Sequence, residues 1–161
     1  MPRLFLVRHC EPQLTGVLLG QCDPGLSEAG RAQAATLFND VKFAAIYSSP
    51  LRRALETARI ISRSAPLEVI DDLREITYGS WDGRAWADIE AADPDLAARK
   101  LRDWPGVTPR GGEPWPIFVA RVTLAFERIS GGPRPAVIVA HAAVNKVLTN
   151  VDQPYGGIHE L

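Results

Sequence analysis

Short apolar runs, separated by amphipathic stretches, recur along the whole chain. Four of them, at residues 4–7, 43–47, 67–70 and 136–140, are rich in Leu, Val, Ile, Ala or Phe and predict short strands. Uninterrupted apolar runs of this length are typical of strands that are buried on both faces of a parallel sheet. The sequence Ala-Val-Ile-Val-Ala at 136–140 is the clearest of the four.

Helix-start signals follow the first and the second of these runs. Ser27 is a good N-cap, and the residues up to Phe38 are rich in helix formers. Ser49 followed by Pro50 predicts another N-cap with proline at the first helical position. Apolar residues then recur at helical spacing as far as Ile61, so we expect an amphipathic helix there.

The second half of the chain has the same character. Helices are predicted over 84–102, with a break near Pro94, over 117–129 and from 142 to about 148. A short edge strand is predicted after Gly157. Stretches rich in glycine and proline, or without a clear period, predict loops at 13–25, 71–83 and 104–116.

The alternation of strands and helices predicts an α/β fold. We expect a three-layer sandwich in which helices cover both faces of a mostly parallel central sheet. The chain has 161 residues, which is enough for one domain with a sizeable core. Because no repeat or linker divides the sequence, we predict a single domain over residues 1–161.

Composition and charge exclude several classes of partner. Apolar residues make up 46% of the chain, charged residues make up 23%, and the net charge is −1, so neither nucleic acid nor a membrane is an expected partner. The sequence shows no signal peptide, and its two cysteines, Cys10 and Cys22, are too few for a disulfide framework or a zinc site. We therefore expect a cytoplasmic protein, with a homodimer as one alternative for its oligomeric state.

Basic and imidazole side chains follow three of the predicted strands. The first strand ends in Arg8 and His9, the second leads into a helix start that carries Arg52 and Arg53, and the fourth ends in His141. Parallel strands bring these ends to one edge of the sheet. Guanidinium groups and a helix N-terminus are suited to phosphate oxygens, so this edge predicts a phosphate pocket without a metal ion.

Two histidines in a phosphate pocket suggest a specific chemistry. A neutral imidazole is a competent nucleophile towards phosphorus, and neighbouring guanidinium groups keep it neutral. One histidine could attack while the other donates hydrogen bonds to the phosphoryl oxygens. The leaving alkoxide needs a proton from a carboxylic acid, and the predicted loop at 71–83 offers Glu75.

The chain resembles a known family at this point. Leu6-Val7-Arg8-His9, with Glu11 close behind, is similar to the opening motif of the histidine phosphatase superfamily, the phosphoglycerate mutase-like proteins. Further segments that resemble the family follow in order along nearly the whole chain, at 20–34, 47–58, 73–83, 109–121 and 137–141.

The resemblance implies a role for each of five residues. His9 would become phosphorylated, while Arg8, Arg53 and His141 would hold the phosphoryl group. Glu75 would protonate the leaving group and then activate water. The resemblance implies no metal ion and no other cofactor.

Additional residues are predicted to contact the substrate. Gln21, Glu11 and Ala142 are candidates for lining the pocket, although Glu11 and Gln21 fit a role in a turn equally well. Trp81 and Trp104 lie in the predicted loops that would cover the crevice, so they are further candidates for substrate contact.

The sequence departs from the family pattern in three places. Cys10 follows the first histidine, where the family usually has glycine, and Ala142 and Ala143 follow the second histidine, where it usually has two glycines. The segment between Leu148 and Gln153 is also shorter than the resemblance implies, which raises the question of a deletion there.

Three functional hypotheses follow. The first is a metal-independent phosphomonoesterase that hydrolyses a small phosphorylated metabolite through phosphohistidine. Its sharpest substrate is α-ribazole 5′-phosphate, because residues 153–158 resemble the C-terminal motif of α-ribazole phosphatases. The second is a phosphoglycerate mutase. The third is a catalytically weak module that binds a phosphorylated ligand, and its support is Cys10 with the paired alanines at 142 and 143.

Overall fold

The computed structural model describes residues 3–161, in which helices flank a single mixed sheet. Two short 3₁₀ turns, Asp71–Leu73 and Gly79–Trp81, interrupt the long loop after the third strand. In chain order the strands and helices are β1 (Leu4–Arg8), α1 (Glu28–Thr36), β2 (Ala45–Ser48), α2 (Arg52–Ser62), β3 (Leu67–Val69), α3 (Trp86–Ala92), α4 (Pro94–Arg102), α5 (Trp115–Ser130), β4 (Ala136–Ala140), α6 (Ala142–Thr149) and β5 (Ile158–Glu160).

The sheet has the order β3-β2-β4-β1-β5. The first four of these strands run parallel, and β5 pairs antiparallel with β1 at the edge. Leu4 lies opposite Ala136 and Arg8 lies opposite Ala140, so β1 and β4 end at the same level. This register places the two histidines that follow these strands side by side, and the mostly parallel sheet that the sequence predicts is confirmed.

Alternate side chains of the strands enter two separate apolar cores. Phe5 and Val7 of β1 face the core that contains Ala54, Ala58 and Ile61 of α2. Leu4 and Leu6 face the opposite core, which α5 completes with apolar residues one helical turn apart, Phe118, Val122, Ala125 and Ile129. Each of the larger fully buried side chains contributes about 1.5–3 kcal/mol to folding. Helices therefore cover both faces of the sheet, as the three-layer prediction requires.

Two of the predicted helix starts are confirmed. The Ser27 hydroxyl caps α1 by accepting a hydrogen bond of 2.9 Å from the backbone N–H of Gly30. The predicted break near Pro94 lies between α3 and α4, where the carboxylate of Asp93 caps the second helix by accepting a bond from Leu96 N–H. Pro94 occupies the first turn of α4, where no N–H is needed.

The predicted start of α2 is wrong by about one half-turn. The helix begins at Arg52, and Leu51, rather than Ser49, stands at the cap position with extended backbone. Ser49 is fully buried, and its hydroxyl contacts His141 as well as the N–H of Leu51. The Ser-Pro pair therefore belongs to a turn that supports the histidine rather than to the first turn of the helix.

The longest helix also differs from its prediction. It begins at Trp115, two residues before the predicted start at 117, and it ends at Ser130. Within residues 3–161, no helix has both the length and the apolar character that crossing a membrane requires.

Candidate active site

A small cavity of about 140 Å³ lies where β1 and β4 end. We call it the phosphoryl cavity. Five of the residues that the sequence predicts for the site line it, namely Arg8, His9, Arg53, Glu75 and Ala142. His141 lies behind this lining, and the centres of the His9 and His141 rings are 5.3 Å apart. The structure thus brings together side chains that the sequence separates by more than a hundred positions.

His9 is fixed by backbone groups on both sides. Its backbone N–H donates to the carbonyl of Ala140 (3.0 Å), and its ring nitrogen Nδ1 lies 2.7 Å from the carbonyl oxygen of Cys10. A carbonyl only accepts, so Nδ1 carries the proton and Nε2 keeps its lone pair. Burial, together with the nearby Arg53 and Arg8, lowers the pKa of His9 to about 3, so the ring is neutral near pH 7.

His141 is held from the opposite side of the ring. Its Nε2 lies 2.7 Å from the hydroxyl of Ser49, and the ring is fully buried. Burial, with Arg53, lowers the pKa of His141 well below its ordinary value, so this ring is neutral as well. The Ser49 hydroxyl accepts from the N–H of Leu51 and directs its own proton to Nε2, which assigns the proton of the neutral ring to Nδ1 and makes it a donor.

Arg53 lies in the first turn of α2 with 1% of its surface exposed. Its guanidinium donates to the carbonyls of Cys22 (2.7 Å) and Gly20 (3.0 Å). Both acceptors are neutral, so the buried positive charge is solvated by backbone dipoles and not by a carboxylate in direct contact. Burial lowers the pKa of Arg53, and nearby Glu75 opposes this effect. Such a cation favours binding of an anion.

Arg8 approaches the cavity from the end of β1. Its Nη1 donates to the carbonyl of Gln153 (2.9 Å), and its guanidinium carbon lies 4.3 Å from the centre of the Tyr155 ring. The same ring lies 5.6 Å from that of His9 and lines the cavity. The sequence prediction missed Tyr155 as a site residue, although the resemblance of residues 153–158 to a family motif was the available signal.

Three buried polar atoms in the described part of the chain lack a hydrogen-bond partner; two belong to residues that line this cavity and the third to His141 directly behind its lining. They are Nε of Arg8, Nε of Arg53 and Nδ1 of His141. Buried donors are nearly always paired in folded proteins, because leaving one unpaired costs about 1–3 kcal/mol. Three of them around one neutral imidazole indicate a site that is completed by an anion with several acceptor oxygens.

Glu75 is the acidic member of the site. One of its carboxylate oxygens accepts from the N–H of Ile76 (3.0 Å), and the other accepts from the N–H of Ala143 (3.2 Å). Only 7% of Glu75 is exposed, and this burial raises its pKa despite the two backbone bonds and the nearby arginines. A carboxyl group with a raised pKa holds its proton to higher pH, which suits a general acid.

The loop that carries Glu75 is fastened to α5 by Arg121. This guanidinium donates to the carbonyls of Asp72 (2.8 Å), Arg74 (2.8 Å) and Glu75 (3.1 Å). It also forms a two-bond ion pair with the carboxylate of Glu113, at 2.7 and 2.8 Å. The sequence placed Arg121 in a family segment without giving it a role, and the structure shows that it fixes the backbone on which Glu75 sits.

The structure places two of the three predicted substrate-contacting residues outside the phosphoryl cavity. Gln21 donates through its side chain to the carbonyl of Glu75 (2.7 Å) and lines a neighbouring cavity of about 330 Å³. The carboxylate of Glu11 accepts from the Ser27 hydroxyl (2.7 Å), so it supports the start of α1. For both residues, a nearby backbone or hydroxyl partner fixes the side chain away from the histidines. Ala142 alone of the three lines the phosphoryl cavity.

Cys10 is a packing residue. It is fully buried against Leu26 and Ala34, and its N–H donates to the hydroxyl of Thr57 (3.1 Å). Burial raises the pKa of the Cys10 thiol to about 11, so the reactive thiolate is scarce at neutral pH. The side chain that replaces the expected glycine therefore enters the apolar layer beneath α1.

The segment before Gln21 closes one side of the cavity. Gly20 has a φ of +51°, and a Cβ at this position would collide with the carboxylate of Asp82. That carboxylate accepts from the N–H of Tyr78 (2.9 Å), which also lines the cavity. Within residues 3–161, no group of three or more His, Cys, Asp or Glu side chains is arranged to hold a metal ion.

Comparison with known proteins agrees with this arrangement. A sequence model of the histidine phosphatase superfamily (branch 1) matches residues 4–153. The bifunctional protein Rv2228c of Mycobacterium tuberculosis is 36% identical over an alignment of 156 positions that covers 91% of this chain, and the chain spans 43% of the length of that relative. The adenosylcobalamin/alpha-ribazole phosphatase of Salmonella typhimurium is 31% identical over 155 residues, 91% of this chain and 77% of that protein.

Solved structures show the same likeness. The crystal structure of the alpha-ribazole phosphatase from Shigella flexneri superposes with a TM-score of 0.86 and 28% sequence identity. The match covers 98% of this chain and 89% of that chain. Because the family model extends over most of the sequence and the fold agrees with it, this chain belongs to the histidine phosphatase superfamily.

Proposed function

We propose that this chain is a metal-independent phosphomonoesterase that hydrolyses a small phosphorylated metabolite through a phosphohistidine at His9. The observation that carries the proposal is the set of three unpaired buried donors, on Arg8, Arg53 and His141. They surround a histidine whose Nδ1 is fixed on the Cys10 carbonyl, which leaves Nε2 for attack. A phosphoryl group is an anion that supplies three acceptor oxygens and an electrophilic phosphorus together.

The first half of the reaction forms the phosphoenzyme. Nε2 of His9 attacks phosphorus while the bond from phosphorus to the ester oxygen breaks. The negative charge on the equatorial oxygens is stabilised by Arg8, Arg53 and His141. Glu75 gives its proton to the departing oxygen, and the product leaves as a neutral alcohol.

The second half restores the enzyme. The carboxylate of Glu75 accepts a proton from a water molecule, whose oxygen attacks the phosphorus bound to His9. The phosphorus–nitrogen bond breaks, inorganic phosphate is released, and the neutral ring of His9 is regenerated with Glu75 again protonated. One carboxyl group thus serves in turn as acid and as base.

The finer proposal concerns the substrate. The Salmonella typhimurium relative and the Shigella flexneri structure are both named as alpha-ribazole phosphatases. The segment at 153–158, which supplies Gln153 and Tyr155 to Arg8, is the part of the chain that resembles the C-terminal motif of these enzymes. We therefore propose α-ribazole 5′-phosphate as the first compound to assay.

The experiment is release of inorganic phosphate from p-nitrophenyl phosphate and from α-ribazole 5′-phosphate, with EDTA present. The wild-type chain should turn over both esters, and His9→Ala should reduce turnover to background. His159→Ala, which removes a histidine from the edge strand β5, is the matched control and should behave as wild type.

The outcomes separate the hypotheses. Absence of turnover by the wild-type chain would contradict a phosphatase and favour a module that only binds phosphorylated ligands. Turnover that persists in His9→Ala would contradict the phosphohistidine mechanism. Interconversion of 3-phosphoglycerate and 2-phosphoglycerate would replace the proposal with a mutase.

A further inference from the structure

A second cavity lies next to the phosphoryl cavity, and Ala142 lines both. We call it the aromatic cavity, because its walls include Trp104 and Trp115 together with Pro105 and Ala143. Its volume is about 510 Å³, several times that of the phosphoryl cavity. A space of about 140 Å³ holds a phosphoryl group and the first atoms of an alcohol, so the rest of a larger alcohol has to lie outside it.

Glu75 shows the direction in which that alcohol extends. The acid has to contact the oxygen that leaves. Its carboxyl group lines the phosphoryl cavity, and one oxygen of this group accepts from the N–H of Ala143, a residue of the aromatic cavity. Glu75 therefore stands at the boundary, and a leaving oxygen beside it carries the rest of the alcohol towards the two tryptophans.

The wall formed by Trp104 is rigid. The Trp104 ring packs against Trp86, with ring centres 6.0 Å apart, and edge-on against Tyr78 at 6.3 Å. The buried Lys100 donates to the carbonyls of Trp104 (2.5 Å) and Val107 (2.6 Å), which fixes the loop that bears the indole. A ring held in this way loses little conformational entropy when a ligand packs on it.

The charges at the rim of the aromatic cavity neutralise each other. Lys146 and Asp152 form an ion pair of 3.0 Å, and both line the cavity. Lys146 is thus already paired, and a second phosphate or a carboxylate on the substrate would meet Asp152 beside it. Because Asp152 is 90% exposed, this pair gives the rim little net charge and no specific attraction for a second anion, whereas flat apolar walls favour an aromatic ring.

We propose that the aromatic cavity binds the leaving alcohol, and that the substrate class is a phosphate monoester of an alcohol bearing a planar aromatic or heteroaromatic ring. The inference rests on the proposed phosphatase function and adds the side chains that select the substrate. Trp104 and Trp115 contact the ring, and Ala142 forms the passage between the two cavities. Packing of a ring on an aromatic side chain corresponds to about a tenfold to hundredfold change in kcat/KM.

The test compares ethyl phosphate, 2-phenylethyl phosphate and 2-cyclohexylethyl phosphate. These esters release primary alcohols of similar basicity, so their chemical reactivity is matched and they differ in what lies beyond the leaving oxygen. We expect kcat/KM for the phenyl ester to exceed that for ethyl phosphate by about tenfold or more. This ratio should fall towards one in Trp104→Ala and in Trp115→Ala, and Trp104→Phe should restore most of it.

Leu124→Ala supplies the control variant. It removes a large apolar side chain that is 63% exposed on the same helix as Trp115, and it should keep the wild-type ratio. Only the folded fraction of each variant is active, and it scales both kcat/KM values equally. Partial unfolding of a tryptophan variant therefore does not change their ratio.

Each result has one meaning. A wild-type ratio near one, or a high ratio that both alanine variants retain, overturns the aromatic cavity as the leaving-group site. Equal turnover of the cyclohexyl and phenyl esters overturns the preference for a planar ring. If the wild-type chain hydrolyses none of the three esters and does not hydrolyse p-nitrophenyl phosphate, the phosphatase function itself is overturned, and the inference with it.

Discussion

The two cavities that share Ala142 are built in opposite ways. The phosphoryl cavity is small and charged, and its two histidines directly follow the ends of strands that pair in fixed register. The aromatic cavity is larger and mainly apolar, and Trp104 and Pro105 come from the loop after α4.

This difference separates chemistry from selection. Register between neighbouring strands fixes the positions of His9 and His141 relative to each other, as attack on phosphorus requires. Loop residues can change without disturbing the sheet. We therefore expect substitutions in the phosphoryl cavity to reduce turnover of every ester, and substitutions in the aromatic cavity to change which ester is preferred.

The largest expected effect comes from replacing Arg53, and the adjacent Arg52 supplies the control. Arg53→Met removes the buried guanidinium and should lower kcat/KM for all esters by about 10³-fold or more. Arg52→Met removes an arginine whose side chain is 58% exposed and should change kcat/KM little. Steady-state kinetics on p-nitrophenyl phosphate measures both. Equal losses in the two variants would mean that the distinction between buried and exposed charge at this helix start is wrong.

Glu75→Gln tests the acid at the boundary of the cavities. We expect kcat/KM for ethyl phosphate to fall by about 10²-fold, because its leaving oxygen needs a proton, and kcat/KM for p-nitrophenyl phosphate to fall much less. Burial raises the pKa of Glu75, so wild-type kcat/KM for ethyl phosphate should decline as pH rises through that pKa.

Glu75→Gln should lack this decline of kcat/KM with rising pH. Glu90→Gln, at an exposed position of α3, is the control and should keep the wild-type profile. A pH profile that is the same in Glu75→Gln and in wild type would assign the proton to another group.

The third prediction concerns the pH dependence of the free energy of unfolding. Folding lowers the pKa of His9 from its ordinary value of 6.5 to about 3, so the unfolded chain binds more protons between these values. Stability should therefore be intact above pH 6.5 and should fall as pH decreases, by up to about 1.4 kcal/mol per pH unit from this residue. Urea unfolding between pH 5 and 8 measures it.

His9→Gln should flatten that dependence, since glutamine does not titrate, and His141 should account for part of the remaining slope. A slope as steep in the variant as in wild type would show that the ring of His9 is not buried as a neutral group.

The smallest effect is expected from Arg121, which acts through the loop that bears Glu75. Arg121→Lys keeps the positive charge but cannot reproduce the forked pair with Glu113 and the three carbonyl contacts. We expect a loss of about tenfold in kcat/KM for ethyl phosphate and a smaller loss for p-nitrophenyl phosphate. Arg128→Lys, on the exposed side of the same helix, should leave both unchanged. Equal losses for the two esters would point to a general loss of folded protein.

Sequence reasoning reached the parts of the site that depend on local pattern. One apolar run leads into Arg8 and His9, and another leads into His141. Parallel pairing of the two strands brings the histidines together, so this prediction needs no information about loop conformations. Arg53 required the family resemblance, because spacing alone did not distinguish it from Arg52.

The remaining contacts depend on choices among partners that local pattern does not encode. Glu11 has the Ser27 hydroxyl within reach and takes the supporting role that was one of its two alternatives, whereas Ser49 lies beside His141 and is not the predicted N-cap. Tyr155 meets Arg8 only because β5 returns to the edge of the sheet. Loop conformations decide these contacts, and a single sequence specifies them weakly.

The segment that follows α6 also sets an order of assembly. Arg8 donates to the carbonyl of Gln153, which lies 145 positions later in the chain, and the N–H of Gly156 donates back to the carbonyl of Arg8. A ribosome that has released residues up to 150 has exposed both histidines and Arg53 but not the backbone that orients Arg8. The groups that orient Arg8 are therefore present only once synthesis has passed this segment, and a chain that ends before Gln153 lacks both of these contacts.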